Sequence, residues 1–291
     1  MQPSSSELGI LNPQAAAQVF RLSRLWPAAA LAPYVERYWR VRWELPPGEV
    51  FTQQTLSHPA INIVFEASRA AIHGVVTRRF SIDLRDRGQA IGIKLRPGGF
   101  AAFWSGSIHR LTDRIVPVVE LAGAEASSFA AAILRNHDAS TVQSDDTIRA
   151  LLDDFLLRHL RPPEPRRDEE IATAVRVVQL ALQSGGSTVS TVAALARRSH
   201  LSVRAMQRLF RSYVGVGPKW VLRRLRLHQA AERIATGAVS NWADFAVELG
   251  YADQAHFSHE FRAYVGRSPA EYAAWCAASL AKVTRLMARV A

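Results

Sequence analysis

The chain has 291 residues, 36 Lys+Arg against 25 Asp+Glu, a formal net charge of +11 and a pI of about 10.7. With 48% hydrophobic and 21% charged residues it cannot be wholly disordered, and its length suits two domains. Its one cysteine, Cys276, excludes an internal disulfide framework and a multi-cysteine zinc cluster.

Met1–Asn12 is polar, with neither the basic start nor the apolar core of an export signal. No apolar run reaches the roughly 18 residues of a membrane span, so a cytoplasmic protein without a membrane partner is expected. Trp39, Val41, Trp43 and Leu45 alternate with Arg40, Arg42 and Glu44, the period of a half-buried strand. Ile61, Ile63 and Phe65 alternate in the same way, as do Ile91, Ile93 and Leu95, and Pro46, Pro47, Gly48, Gly88, Gly98 and Gly99 punctuate them. Arg96-Pro97-Gly98-Gly99 reads as a strand-to-helix turn, with an anion cradle as its alternative, and Phe100–Trp104 as a short helix. Val116–Asn136 and Thr147–Leu160 carry helix-period apolar residues. Residues 1–160 are therefore read as an α+β regulatory, effector or dimerisation domain, a small antiparallel sheet plus helices. Trp39, Trp43, Phe51, Phe65 and Phe103 are candidates for an effector pocket, with plain core as the alternative.

RPPEPRRD (161–168) is a Pro-rich linker by composition. Beyond it strand signals vanish and the charge rises. Residues 1–165 hold 18 Lys+Arg against 16 Asp+Glu, whereas residues 166–291 hold 18 against 9. That asymmetry implies a polyanion partner, nucleic acid first and an acidic membrane surface second. Short helices alternate with turns at Ser184–Thr188, Ser199–Ser202, Gly215–Pro218, Thr236–Ser240, Gly250–Asp253 and Gly266–Pro269.

Two segments repeat. FRSYVGVGP (Phe210–Pro218) aligns with FRAYVGRSP (Phe261–Pro269) at an offset of 51, with six of nine positions identical. Upstream, Ala196 matches Ala246 and Leu201 matches Tyr251 at an offset of 50. Each copy reads as a helix-turn-helix: a small residue ends the first helix, a hydrophobic plug closes the turn, and Ser202 or Asp253 caps the second helix. The second helices are apolar at Met206, Leu209 and Phe210, and at Phe257 and Phe261. Their other faces carry Arg204, Gln207, Arg208 and Arg211, then Gln254, Ser258, His259 and Arg262. Arg forks onto guanine and Gln onto adenine in a major groove, so these faces suit base reading; an ordinary solvated face is the alternative. Pro218–Thr236 reads as one connecting helix decorated by Arg223, Arg224 and Arg226, about 28 Å long at ~1.5 Å per residue. Such a strut suits recognition helices in successive major grooves, about 34 Å apart.

No catalytic constellation emerges: there is no GxSxG elbow, Walker loop or GxGxxG. His58, His73 and His109 lack metal-like spacing, and His256 with His259 sits in a recognition helix. No enzyme activity, metal or cofactor is expected. Cys276 reads as an inert small residue, a redox switch being the alternative.

Residues 169–275 resemble the DNA-binding domain of AraC/XylS-type transcriptional regulators. The marks are SVRAMQRLFRSYVGVGP, the Arg226-Leu227 pair and ELGYADQAHFSHEFRAYVGRSPAEY. The resemblance implies an all-α DNA-binding domain with two helix-turn-helix units joined by a long helix, followed by a helical tail at 276–291. It implies base contacts from Arg204, Gln207, Arg208, Gln254, Ala255, Ser258 and His259. Phosphate contacts fall to Ser202, Arg211 and Arg262. His259 stands where many members have arginine. RYWRVRWEL, HPAINIVFE and IGIKLRPGGFAAFWSG resemble, more weakly, a sensory or dimerisation domain of some members. The partners implied are double-stranded DNA and a small-molecule effector, with a homodimer and RNA polymerase as further candidates. The rival readings are a non-specific architectural DNA binder, which would favour a uniformly basic face, and a DNA-repair alkyltransferase regulator, which needs reactive cysteines.

Overall fold

The structure is a computed structural model that describes residues 9–135, 143–183 and 191–288. It opens with α1 (Pro13–Val19), whose first turn accommodates Pro13 and is capped by the Asn12 side chain. The strands are β1 (Phe20–Leu25), β2 (Val35–Glu44), β3 (Val50–Leu56), β4 (Asn62–Glu66), β5 (Arg69–His73), β6 (Arg79–Arg85), β7 (Arg87–Leu95) and β8 (Ile115–Pro117). Six form an antiparallel sheet in the order β1-β2-β7-β4-β5-β8, and β3 and β6 pair separately.

One face of the large sheet is covered by helices α2 (Val119–Ala122), α3 (Glu125–Leu134) and α4 (Asp145–His159). Phe65 of β4 meets Phe129 edge-on at 5.3 Å, and Phe129 stacks on Phe155 at 4.2 Å. The N-terminal part is thus the expected small sheet with helices. The alternation of β2 is real, but its more deeply buried face is the opposite one. Tyr38 and Arg40 are buried, while Trp39 and Trp43 are half-buried on the other side. Tyr38 donates to Asp153 of α4, and Arg40 spends its donors on Gln89 and the Gln143 carbonyl, which is what lets an arginine lie inside. Arg96–Gly99 is a turn: Gly98 takes φ 92°, and Arg96 donates to the Ala32 carbonyl at 2.8 Å. The short helix after it is a 3₁₀ turn at Gly99–Ala102.

The remaining helices are α5 (Pro165–Gln183), α6 (Val192–Arg198), α7 (Val203–Leu209), α8 (Pro218–Ala235), α9 (Trp242–Glu248), α10 (Gln254–Val265) and α11 (Pro269–Met287). Helix α7 continues into one π turn, Phe210–Val214. Of the expected linker 161–168, residues from Pro165 onward are helical, because proline is tolerated in a first turn. Arg161 is pinned by bonds to the Ala102 and Trp104 carbonyls, and one continuous core runs from the sheet through α5 to α7 and α8. The expected turn at Ser184–Thr188 and the end of the helical stretch at Asn136 lie outside the described residues.

Candidate functional site

The two repeat copies build the same turn. In copy one (α6 and α7) the Leu201 N–H donates to the Ala196 carbonyl at 3.0 Å; in copy two (α9 and α10) the Tyr251 N–H donates to Ala246 at 3.0 Å. The residue before each plug is left-handed, His200 at φ 54° and Gly250 at φ 77°. Ser202 caps α7 through the Ala205 N–H, and Asp253 caps α10 through His256 at 2.7 Å. Gly215 and Gly266, at φ 94° and 83°, end the two recognition helices.

Met206 and Phe210 are buried, and so are Phe257 and Phe261. Arg204, Gln207 and Arg208 therefore share an exposed face at helical spacing. Gln254, Ala255 and His259 are exposed on copy two, and Ser258 is half-buried. Ser202, Arg211 and Arg262 are exposed at the flanks. Arg262 is already engaged: its Nη2 lies 2.6 Å from Glu271, the residue that completes the capping box of α11. Bonds from the Ser268 backbone and from Arg262 hold the Glu271 carboxyl down at about 2.

The connecting helix α8 has the expected extent, but its arginines do more than decorate it. Arg224 is buried, stacked near Trp220 at 4.5 Å and Tyr264 at 5.2 Å, and it donates to the Thr77 carbonyl. Burial lowers its pKa to about 10. Arg223 pairs with Glu260 of α10 at 2.9 Å, and Glu260 also accepts from the Tyr251 hydroxyl at 2.6 Å. Arg226 lies over the Tyr251 ring at 5.1 Å. These arginines thus fix copy two to the strut, because α8 is packed on several sides rather than on one.

Both recognition helices are fastened at their C-terminal ends to the N-terminal part. The Gly215 carbonyl accepts from Thr112 Oγ1 at 2.8 Å and lies 3.0 Å from His109 Nδ1. The Val265 carbonyl accepts from Arg79 of β6. On β3, the Leu56 carbonyl lies 2.7 Å from His228 Nε2 of α8, and Gln54 accepts from Arg267 at 3.0 Å. Sequence patterning held no signal for these long-range bonds.

A cavity of about 280 Å³ lies between the large sheet and the β3–β6 pair. Of the aromatics expected to line a pocket, Trp39 and Trp43 do; Phe51, Phe65 and Phe103 do not. Phe65 and Phe103 belong to the main core, and Phe51 packs against a smaller cluster with α1 and α11. Cys276 is buried on α11, and burial pushes its thiol up to about 11, which keeps it from acting as a thiolate.

Residues 195–274 match the family of the helix-turn-helix domain, and residues 23–117 match a family described as a domain of unknown function, DUF6597. The chain is 33% identical over 91 residues to the raffinose operon transcriptional regulatory protein RafR of Pediococcus pentosaceus, covering 31% of this chain and 32% of the relative. The chain thus spans about a third of the length of that curated relative. Among solved structures, an AraC-type transcriptional regulator from Chromobacterium violaceum matches at 23% identity and a TM-score of 0.32, over 35% of this chain and 93% of its own. ToxT from Vibrio cholerae, bound to (E)-4-(8-methylnaphthalen-1-yl)but-3-enoic acid, matches at 11% identity and a TM-score of 0.40, over 89% and 99% of the two chains.

Proposed function

We propose that this chain, whose C-terminal region is an AraC-type helix-turn-helix domain, is a sequence-specific transcription regulator. It reads two adjacent major grooves of double-stranded DNA and is modulated by its N-terminal part. The observation that carries this reading is the pair of equivalent helix-turn-helix units. Each buries one side of its second helix and exposes a mixed face, Arg204/Gln207/Arg208 in one and Gln254/Ala255/Ser258/His259 in the other. Arg and Gln at such positions make bidentate contacts to guanine and adenine edges. Ser202, Arg211 and Arg262 flank these faces and supply phosphate contacts that fix register. The Arg262–Glu271 pair orients that guanidinium.

The reading includes action on chromosomal DNA in the cytoplasm; among the described residues no helix is long and apolar enough to cross a membrane. It assigns no catalysis and no cofactor. Cys276, buried with a raised pKa, is unsuited to accept an alkyl group. A homodimer and RNA polymerase are the protein partners this role would use. Competition between a selected site and random duplex, at several salt concentrations, tests the function. A regulator prefers its site by about 10³-fold or more; an architectural binder shows a ratio near one.

A further inference from the structure

The cavity face of the large sheet is sorted into rows by strand register. Arg37 pairs with Lys94, Lys94 with Asn62, and Asn62 with His73, so these four stand in one line across β2, β7, β4 and β5. All four line the cavity. The next three rows on this face hold Trp39 opposite Gly92, Val41 opposite Ala90 and Trp43 opposite Gly88. A Cβ at Gly92 or Gly88 would collide with the indole of Trp39 or Trp43, so both rings lie flat over the neighbouring strand. The cavity is therefore polar at one end and has an aromatic floor along the rest. Phe80, Ile82 and Leu84 of β6 form the facing apolar wall.

Among the described residues, the polar end carries a charge imbalance. Lys94 Nζ lies 3.0 Å from Glu36 Oε1, and Arg37 Nη1 lies 3.2 Å from the same oxygen. Lys94 is only 8% exposed, and burial lowers its pKa, with Arg37 and Arg24 adding to the effect against the pull of Glu36. Glu66, a carboxylate on the cavity wall, is paired with Arg69 at 3.0 Å. A further buried group on the lining, His73 Nε2, has no hydrogen-bond partner among the described residues. Buried cations in excess of their counter-charges, and buried polar atoms without partners, both cost stability unless something supplies the missing contacts.

We infer that this cavity is the binding site of a small organic carboxylate. Its carboxylate sits at the Arg37–Lys94–Asn62 end, and its flat or extended apolar body lies across Trp39 and Trp43. A carboxylate balances the charge and accepts charge-assisted hydrogen bonds from Lys94 and Arg37. Its body gains apolar burial in a cavity at the small end of the ligand range. A neutral polyol would leave the cations uncompensated and offer hydroxyls to an indole floor. The inference deepens, and rests on, the modulating role assigned to the N-terminal part.

The test is calorimetric titration of the full chain with indole-3-acetate and octanoate, beside their neutral counterparts indole-3-acetamide and octan-1-ol. Indole quenching is followed with the octyl pair. The acids are expected to bind about tenfold tighter than their neutral partners. Arg37→Gln and Lys94→Gln should each bring that preference close to one. Trp39→Leu should weaken both members of a pair alike. Equal binding of acid and neutral partner overturns the inference, as does no binding by any of the four. So does a preference that survives both Arg37→Gln and Lys94→Gln. If Lys94→Gln fails to fold, the matched pairs on the unmodified chain and Arg37→Gln still decide. Duplex binding by the ligand-free chain is measured on the same sample; its failure refutes the regulator reading and leaves the carboxylate result standing.

Discussion

Copy one buries Met206 and Phe210 in the core that runs through α5 into the N-terminal sheet. Copy two buries Phe245, Phe257, Phe261 and Tyr272 in a separate aromatic core that, among the described residues, takes in Leu11 and Leu56 from the N-terminal part. The turns are the same, but the attachments differ. Copy one is continuous with the sheet. Copy two hangs on α8 through Arg223, Arg224 and Arg226, and on the β3–β6 pair through Arg79, Gln54 and Leu56. That pair is also a wall of the cavity, with Gln53 and Thr55 turned toward it and Gln54 and Leu56 bonded to the DNA-binding part. The contrast teaches that each copy is tied to a different wall of the cavity, copy one to the large sheet and copy two to the β3–β6 pair.

The largest expected effect comes from emptying one core. Phe257→Ala should cost about 3–5 kcal/mol, and hydrogen exchange should rise in α9–α11 while α6 and α7 stay protected. Uniform loss of protection would remove the distinction between the copies. On DNA, Arg208→Ala should weaken the selected site by roughly 1–3 kcal/mol and random duplex much less. Arg262→Ala should weaken both alike and flatten the salt dependence by about one unit of slope, as read by fluorescence anisotropy.

Stability should also depend on pH. His228 is buried against Leu56 and meets the His58 ring edge-on at 4.2 Å; burial, and then His58, hold its pKa well below the ordinary value. His73 shifts in the same direction, mainly through burial. Both are neutral in the fold, so below about pH 6.5 the unfolded chain binds more protons and stability falls as pH falls. The slope is at most about 1.4 kcal/mol per pH unit for each group. His228→Gln should flatten it in denaturant titrations between pH 7 and 5. Smallest is the turn of copy one. His200 is exposed at φ 54°, where copy two has Gly250. His200→Gly should stabilise by about 0.5–1 kcal/mol at most, visible as a small rise in Tm.

The repeat was legible because its bonds are local: Leu201 to Ala196, Tyr251 to Ala246, and each cap to the third residue beyond it. The strands around Trp39, Ile63 and Ile93 were legible from their period, though not which face of β2 would meet the helices, since both faces are covered. Phe80, Ile82 and Leu84 alternate too, but β6 and its partner β3 went unread, and with them the cavity. Arg40, Lys94 and Arg224 look like surface residues in the sequence. Their partners Gln89, Glu36 and Thr77 lie 49, 58 and 147 positions away, where periodicity carries no information.

The central claim is that two unlike faces read two stretches of one duplex. Selection of sites from random DNA by the full chain, repeated with Arg208→Ala and with Gln254→Ala, tests it most directly. Two preferred sub-sites about one helical turn apart are expected, roughly 34 Å centre to centre. Arg208→Ala should relax only one of them and Gln254→Ala only the other. No enrichment, or a single sub-site relaxed by both substitutions, would contradict the account.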